Sequence, residues 1–307
     1  MKLVTTTANF IPYYDDRSIA APLKSIPHTG FRYVDICFDG IIYPGSPWLQ
    51  PGDLWKKEVE DCLTARDKYG ISFVQSHAPD GEHFVPGEKR DAFFFTLPRV
   101  FEACLMLGIP HTVVHSQPYD SAPERFYPEN IAFYRHFADF AEKYEVDMLT
   151  ENSSTLWLPN HKMLTGADLV NFIREADIPR LHICWDTGHA NCEGRDQYSD
   201  IMAMGKELRA FHMQDNFGSA DLHMTPLMGT VNFDRVMQGI VDAGYSGNFT
   251  FEDCCSLRSA EAWPLCRKNL LPTDKLRQPT LDLVEKMTAV SRSVGGFILT
   301  SYGFPAE

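Results

Sequence analysis

Several things are scarce in this 307-residue sequence. No run approaches 18 apolar residues, so a conventional membrane-spanning helix is not expected. The opening MKLVTTTANF has one lysine and a short apolar patch, unlike a signal peptide, and the expected location is cytoplasmic. Eight cysteines, at 37, 62, 104, 184, 192, 254, 255 and 266, form no Cys-x-x-Cys pair, which argues against a zinc ribbon or a dithiol redox motif. Reduced, mostly packed thiols are expected instead, with the adjacent Cys254 and Cys255 as a minor soft-metal alternative. Positive charge is also short: 28 Lys and Arg against 41 Asp and Glu leave a net charge of −13. That disfavours broad attraction to phosphates, so nucleic acid is not the expected partner. No glycine-rich phosphate loop follows the first strand, and no low-complexity segment, linker or short repeat interrupts the chain.

What is present is an ordinary soluble composition, 44% hydrophobic and 22% charged, with short β-rich runs alternating with longer amphipathic ones. Strands are expected at residues 3–7, 32–36, 72–77, 112–116, 148–151, 181–186, 210–214 and 248–252. Between them the period is helical, most clearly after Asn232. That residue can cap, Phe233, Val236, Met237, Ile240 and Val241 form an apolar stripe, and Gly244 closes the helix. Eight alternations predict a parallel sheet closed into a single (β/α)8 TIM barrel, with an open doubly wound sheet as the weaker alternative. One domain is expected, with the barrel at about 1–255 and a C-terminal helical extension at about 256–307 that covers the barrel or forms a dimer contact. The long connections after the strands read as site walls.

Chemistry-bearing residues recur at the strand ends. His77 ends FVQSHAP, His115 ends TVVHS, Glu151 lies in TENSS, Asp186 in WDTGHA, His212 in FHMQDN and Glu252 in FTFED. Their intervals of 38, 36, 35, 26 and 40 residues are each close to one strand–helix unit. Any one of them reads most simply as a structural histidine or a helix-capping carboxylate. Six at one register of a closed barrel converge on its rim, where grouped carboxylates and imidazoles require a cation. The mixed N and O donor set suits Zn, Mn, Co, Fe or Mg rather than cuprous copper. His189, Asp221 and His223 are further candidate ligands or substrate-binding groups.

TEN, WDTGHA, HMQDNFGSADLH with MGTVNF, and GYSGNFTFE, in this order and spacing, resemble the sugar phosphate isomerase/epimerase family with the xylose isomerase-like barrel, over roughly residues 1–255. The resemblance to its ketose 3-epimerases implies one divalent cation on Glu151, Asp186, His212 and Glu252. It implies too that Glu151 and Glu252 exchange a proton next to a carbonyl, that His189 orients a substrate oxygen, and that His77, His115 and His223 bind substrate. A small sugar or sugar phosphate is then the expected partner, and lyases and dehydratases on the same barrel are the nearest chemical neighbours. The same nine positions also resemble endonuclease IV, which implies three zinc ions: one on His77, His115 and Glu151, one on Glu151, Asp186, His212 and Glu252, and one on His189, Asp221 and His223. A silent sugar-binding barrel is a third alternative. Asp35 stands where relatives usually show Glu, and the C-terminal segment around Trp263 matches no family motif.

Overall fold

The computed structural model describes residues 1–253, 256–257, 273, 275–276 and 278–305. The strands are β1 (Leu3–Thr6), β2 (Tyr33–Cys37), β3 (Ser72–His77), β4 (His111–Val113), β5 (Asp147–Glu151), β6 (Leu181–Asp186), β7 (Leu208–His212) and β8 (Phe249–Thr250). The helices are α1 (Ile26–Thr29), α2 (Lys56–Tyr69), α3 (Glu88–Leu107), α4 (Phe126–Tyr144), α5 (Gly166–Ala176), α6 (Thr187–Cys192), α7 (Gln197–Met204), α8 (Phe233–Asp242) and α9 (Leu281–Ser301). Every strand pair is parallel, in the order β7-β6-β5-β4-β3-β2-β1-β8. A parallel bridge between Met213 and Phe251 joins the two ends, so the sheet closes into a (β/α)8 barrel.

Local signals account for the boundaries. Thr165 and Asp168 form a reciprocal capping box at the start of α5, and the Asn232 side chain accepts the Arg235 N–H at the start of α8. β4 and β8 are shorter than expected because their ends leave regular pairing. Single backbone bonds continue beyond them, from Val114 N to Leu149 O and from Phe251 N to Val4 O.

The main core lies between the barrel and its helices, with Trp48, Trp55, Trp185, Phe101, Phe137 and Phe211 fully buried. α9 packs against the barrel over β1. A side chain at Gly295 would run into Phe251 and Leu3, at 2.6 and 2.7 Å, so this close approach needs glycine. Among the described residues no helix is long and apolar enough to cross a membrane. Cys37, Cys62, Cys104 and Cys184 are buried free thiols and Cys192 is half-buried. Cys254, Cys255 and Trp263 lie outside the described residues.

Candidate metal centre and active site

Alternation along the strands builds the site. Val113, Leu149, Cys184 and Ala210 form a separate apolar cluster inside the barrel. Beside it, the Gln75 amide donates to Asp35 Oδ2 at 2.9 Å and its oxygen accepts from Thr250 Oγ1 at 3.1 Å. Two residues further along the same strands, hence on the same face and one layer higher, stand His77, His115, Glu151, Asp186, His212 and Glu252. The pleat explains why six strand ends deliver polar groups to one cavity. His115 and Glu252 sit two residues beyond the formal ends of β4 and β8.

The centre is tight. His212 Nδ1 lies 3.1 Å from Glu151 Oε1 and 3.2 Å from Glu252 Oε2. One donor atom from each of Glu151, Asp186, His212 and Glu252 lies within 4.8 Å of all the others. Ligands about 2.0–2.2 Å from a common ion are at most about 4.4 Å apart, so the quartet needs to contract by only a few tenths of an ångström to share one. Asp186 Oδ1 is already used: it accepts the His189 N–H at 2.5 Å, capping α6, and the Gln214 amide at 3.2 Å. Asp186 Oδ2 and Glu151 Oε2 are buried without a hydrogen-bond partner. Two orphaned carboxylate oxygens in a dry interior are costly unless a cation meets them, and the residues present therefore fit a divalent ion. Cys184 also lies within reach of Glu151 and His212, but burial pushes its thiol well up, so it stays a thiol and a poor ligand.

Three other histidines share one orientation. The Nδ1–H of His77 donates to Ala78 O at 2.7 Å, that of His189 to Asn152 O at 2.9 Å and that of His223 to Glu252 O at 2.9 Å. Each ring thereby turns its Nε2 toward the cavity, the tautomer that metal-binding and substrate-binding histidines need. His189 Nε2 and His223 Nε2 both face Asp221 Oδ2, at 3.2 and 2.9 Å, while His77 Nε2 faces His115 Nε2 at 2.8 Å. Burial lowers the His189 pKa, but Asp186, Asp221 and Glu151 outweigh it and hold the group well above its ordinary value. Burial would likewise raise the Glu151 carboxyl, yet His212, His115 and His189 keep it below the carboxylate range. His223 has a left-handed backbone, φ 44°, a strain of order 1 kcal/mol or more in a loop residue aimed at the centre.

All nine sequence-selected residues fall in three groups: His77, His115 and Glu151; Glu151, Asp186, His212 and Glu252, which shares Glu151 with the first; and, separately, His189, Asp221 and His223. Asp35 lies beneath them, its Oδ2 3.9 Å from His212 Nε2. Gly188 is not at a left-handed turn: a side chain there would strike Gln214 Oε1 at 2.0 Å, so glycine is required for close approach instead. Sequence reasoning passed over Asn152, which exchanges hydrogen bonds with the Asp186 backbone, as well as Gln214 and Trp157, whose ring stacks on His189 at 5.5 Å. It also passed over Asp39 and Asp80, which line the cavity, although an acidic residue before glycine shortly after a strand was a usable signal.

A barrel with imidazoles and carboxylates gathered on its C-terminal rim defines the class of molecule. The chain belongs to the xylose isomerase-like TIM barrel family, whose model matches residues 24–265. An uncharacterised protein of Methanocaldococcus jannaschii is 23% identical over 265 residues, covering 82% of this chain and 84% of that one. Among solved structures, a D-tagatose 3-epimerase-like protein superposes with a TM-score of 0.72 at 18% identity, covering 99% of this chain and 98% of its own. The IOLI protein with a bound zinc atom superposes at 0.69 with 15% identity, covering 98% and 99%. At these identities the two structures establish the fold.

Proposed function

We propose that this chain is a divalent-metal-dependent sugar isomerase or epimerase that moves a proton next to a carbonyl of a ketose or related polyol. The observation that carries the reading is the quartet of Glu151, Asp186, His212 and Glu252, with two buried carboxylate oxygens lacking a hydrogen-bond partner. Zn, Mn, Co or Mg held by these four would act as a Lewis acid toward a sugar carbonyl and its neighbouring hydroxyl, lowering the barrier to C–H ionisation. Glu151 comes from β5 and Glu252 follows β8, three strands away one way around the ring and five the other. The two carboxylates therefore flank a sugar from opposite sides. Glu151 takes the proton from one face and Glu252 returns one to the other; in aldose–ketose isomerisation the proton moves instead between adjacent carbons. His189, tethered through Nδ1, offers Nε2 to a substrate oxygen, and His77, His115 and His223 complete the polar wall. The likeness to a D-tagatose 3-epimerase-like protein and to a zinc-bound barrel supports this reading. Lyases and dehydratases that begin with the same proton abstraction share its first step.

Metal analysis together with solvent deuterium exchange tests it. One exchangeable ion per chain and deuterium entering a ketose next to its carbonyl are expected, with Glu151→Gln and Glu252→Gln each abolishing exchange. Exchange that survives both substitutions would disprove the two-carboxylate mechanism.

The three ligand groups favour one second reading, a three-zinc phosphodiesterase. Near three zinc per chain and cleavage of abasic DNA would establish it. Against it, the described residues lining the cavity include neither lysine nor arginine, leaving no lysine or arginine side chain there to grip the flanking phosphates.

A further inference from the structure

The cavity over the strand ends measures about 230 Å³, below the roughly 300–1,000 Å³ of typical small-molecule sites. A second cavity adjoins it. Cys37 and Asp39 line both, and the second, of about 470 Å³, runs outward between the chain after β1 and the chain after β2. That annex is bounded by Tyr14, Asp15, Asp16 and Arg17 on one side and by Gly40 and Tyr43 on the other. Arg17 lies over the Tyr43 ring at 5.1 Å, and the Tyr14 hydroxyl is tied to Ser25 Oγ at 2.9 Å. Aromatic rings beside exposed carboxylate and guanidinium groups suit a ring of hydroxyls: apolar C–H faces meet the rings, and O–H groups meet the charged atoms. The charges also exclude ligands. Three carboxylates, of Asp15, Asp16 and Asp39, against one guanidinium among the described residues lining the annex, and no lysine or arginine among those lining the inner cavity, repel an anionic ester.

Resting on the proton-transfer reading above, we infer that the substrate is an uncharged, two-unit sugar. Its carbonyl-bearing unit occupies the inner cavity, and a glycosidically linked second sugar extends past Asp39 into the annex between Tyr14 and Tyr43. Phosphorylated ketoses are excluded. No bond of the second unit is made or broken; it supplies binding energy that holds the reacting C–H in place.

Deuterium exchange and calorimetric binding should be measured on the metal-loaded protein with fructose, fructose 6-phosphate, and two ketose-ended disaccharides, isomaltulose and lactulose, linked through O6 and O4. At least one disaccharide should exceed fructose in kcat/KM for exchange, and in affinity, by roughly tenfold or more. Fructose 6-phosphate should fall below fructose. Gly40→Trp fills the annex, since a side chain there meets no atom within 4 Å, and should erase the disaccharide advantage while leaving exchange of fructose unchanged. Exchange of fructose equal to or above that of both disaccharides would overturn the two-unit inference and leave the proton-transfer reading standing. Tighter disaccharide binding that Gly40→Trp abolishes, without exchange in any sugar, would support the annex and overturn the proton-transfer reading. A phosphate ester that outperforms fructose would overturn the exclusion of charge.

Discussion

Two sets of buried histidines can be compared. His77, His189 and His212 sit among Asp35, Asp39, Asp186, Asp221, Glu151 and Glu252, whereas His83 packs against the rings of Phe133 and Phe93, at 3.9 and 4.8 Å. Burial acts on both sets in the same direction. In the first, carboxylates reverse it: His77 and His189 are raised, the former by Asp39, Asp80 and Glu151 against the effect of burial. In the second, burial prevails: it lowers His83 to about 3 with Arg90 acting the same way, His161 to about 3, and His111 to about 4 although Asp147 pulls it up. His115 shows that membership of the site is not enough, because burial holds it well below its ordinary value despite Glu151. The chemistry of an imidazole here is decided by what surrounds it, not by its depth.

The sharpest way to break this contrast is to remove one charge from the first set. Asparagine at Asp186 retains an oxygen to cap α6 but loses the carboxylate, so Asp186→Asn should fold yet lose metal affinity by more than the roughly 10–100-fold typical of removing a ligand's hydrogen-bond partner. Titration of the apoprotein with Mn or Zn checks this; unchanged affinity would mean that the orphaned Oδ2 has no part in metal binding.

A smaller effect is expected at Gly188→Ala, where the added methyl strikes Gln214 and displaces its bonds to Asp186 and Asp221. A loss of about 1–3 kcal/mol in urea unfolding is predicted, typical of overpacking.

For stability alone, the loss from one neutral histidine is of the same order. Above pH 6.5 neither state binds the proton. As pH falls below the unfolded value of about 6.5, the unfolded chain protonates His83, His111 and His161 while the folded chain does not until pH 3 to 4, so stability drops through that window. Each such histidine contributes about 1.4 kcal/mol per pH unit well inside it. Chemical denaturation at pH 6.5 and 5 should show the decline, and His83→Phe should lessen it without altering metal affinity. An unchanged slope in His83→Phe would place the neutral charge state of His83 in error.

Much of this molecule was legible in its residues. Strand and helix alternation follows from periodicities set by backbone geometry, and the spacing of His77, His115, Glu151, Asp186, His212 and Glu252 followed once a closed barrel was assumed. Asn152 and Gln214 were visible within TEN and HMQDN, yet nothing in sequence order says that one clamps the Asp186 backbone and the other its carboxylate. Nor does sequence order show why residue 188 is glycine, because the Gln214 amide lies against it only in the folded barrel.

The sequence by itself determined the strand–helix alternation and the kinds of donor atom available, because hydrophobic period and side-chain chemistry are local properties. Only the tertiary structure decided which donors share a cavity, which carboxylate oxygens lack a partner, and that a second cavity meets the first at Cys37 and Asp39. Those facts arise from groups dozens of residues apart being brought within a few ångströms by barrel closure, and burial and electrostatic environment exist only after that closure.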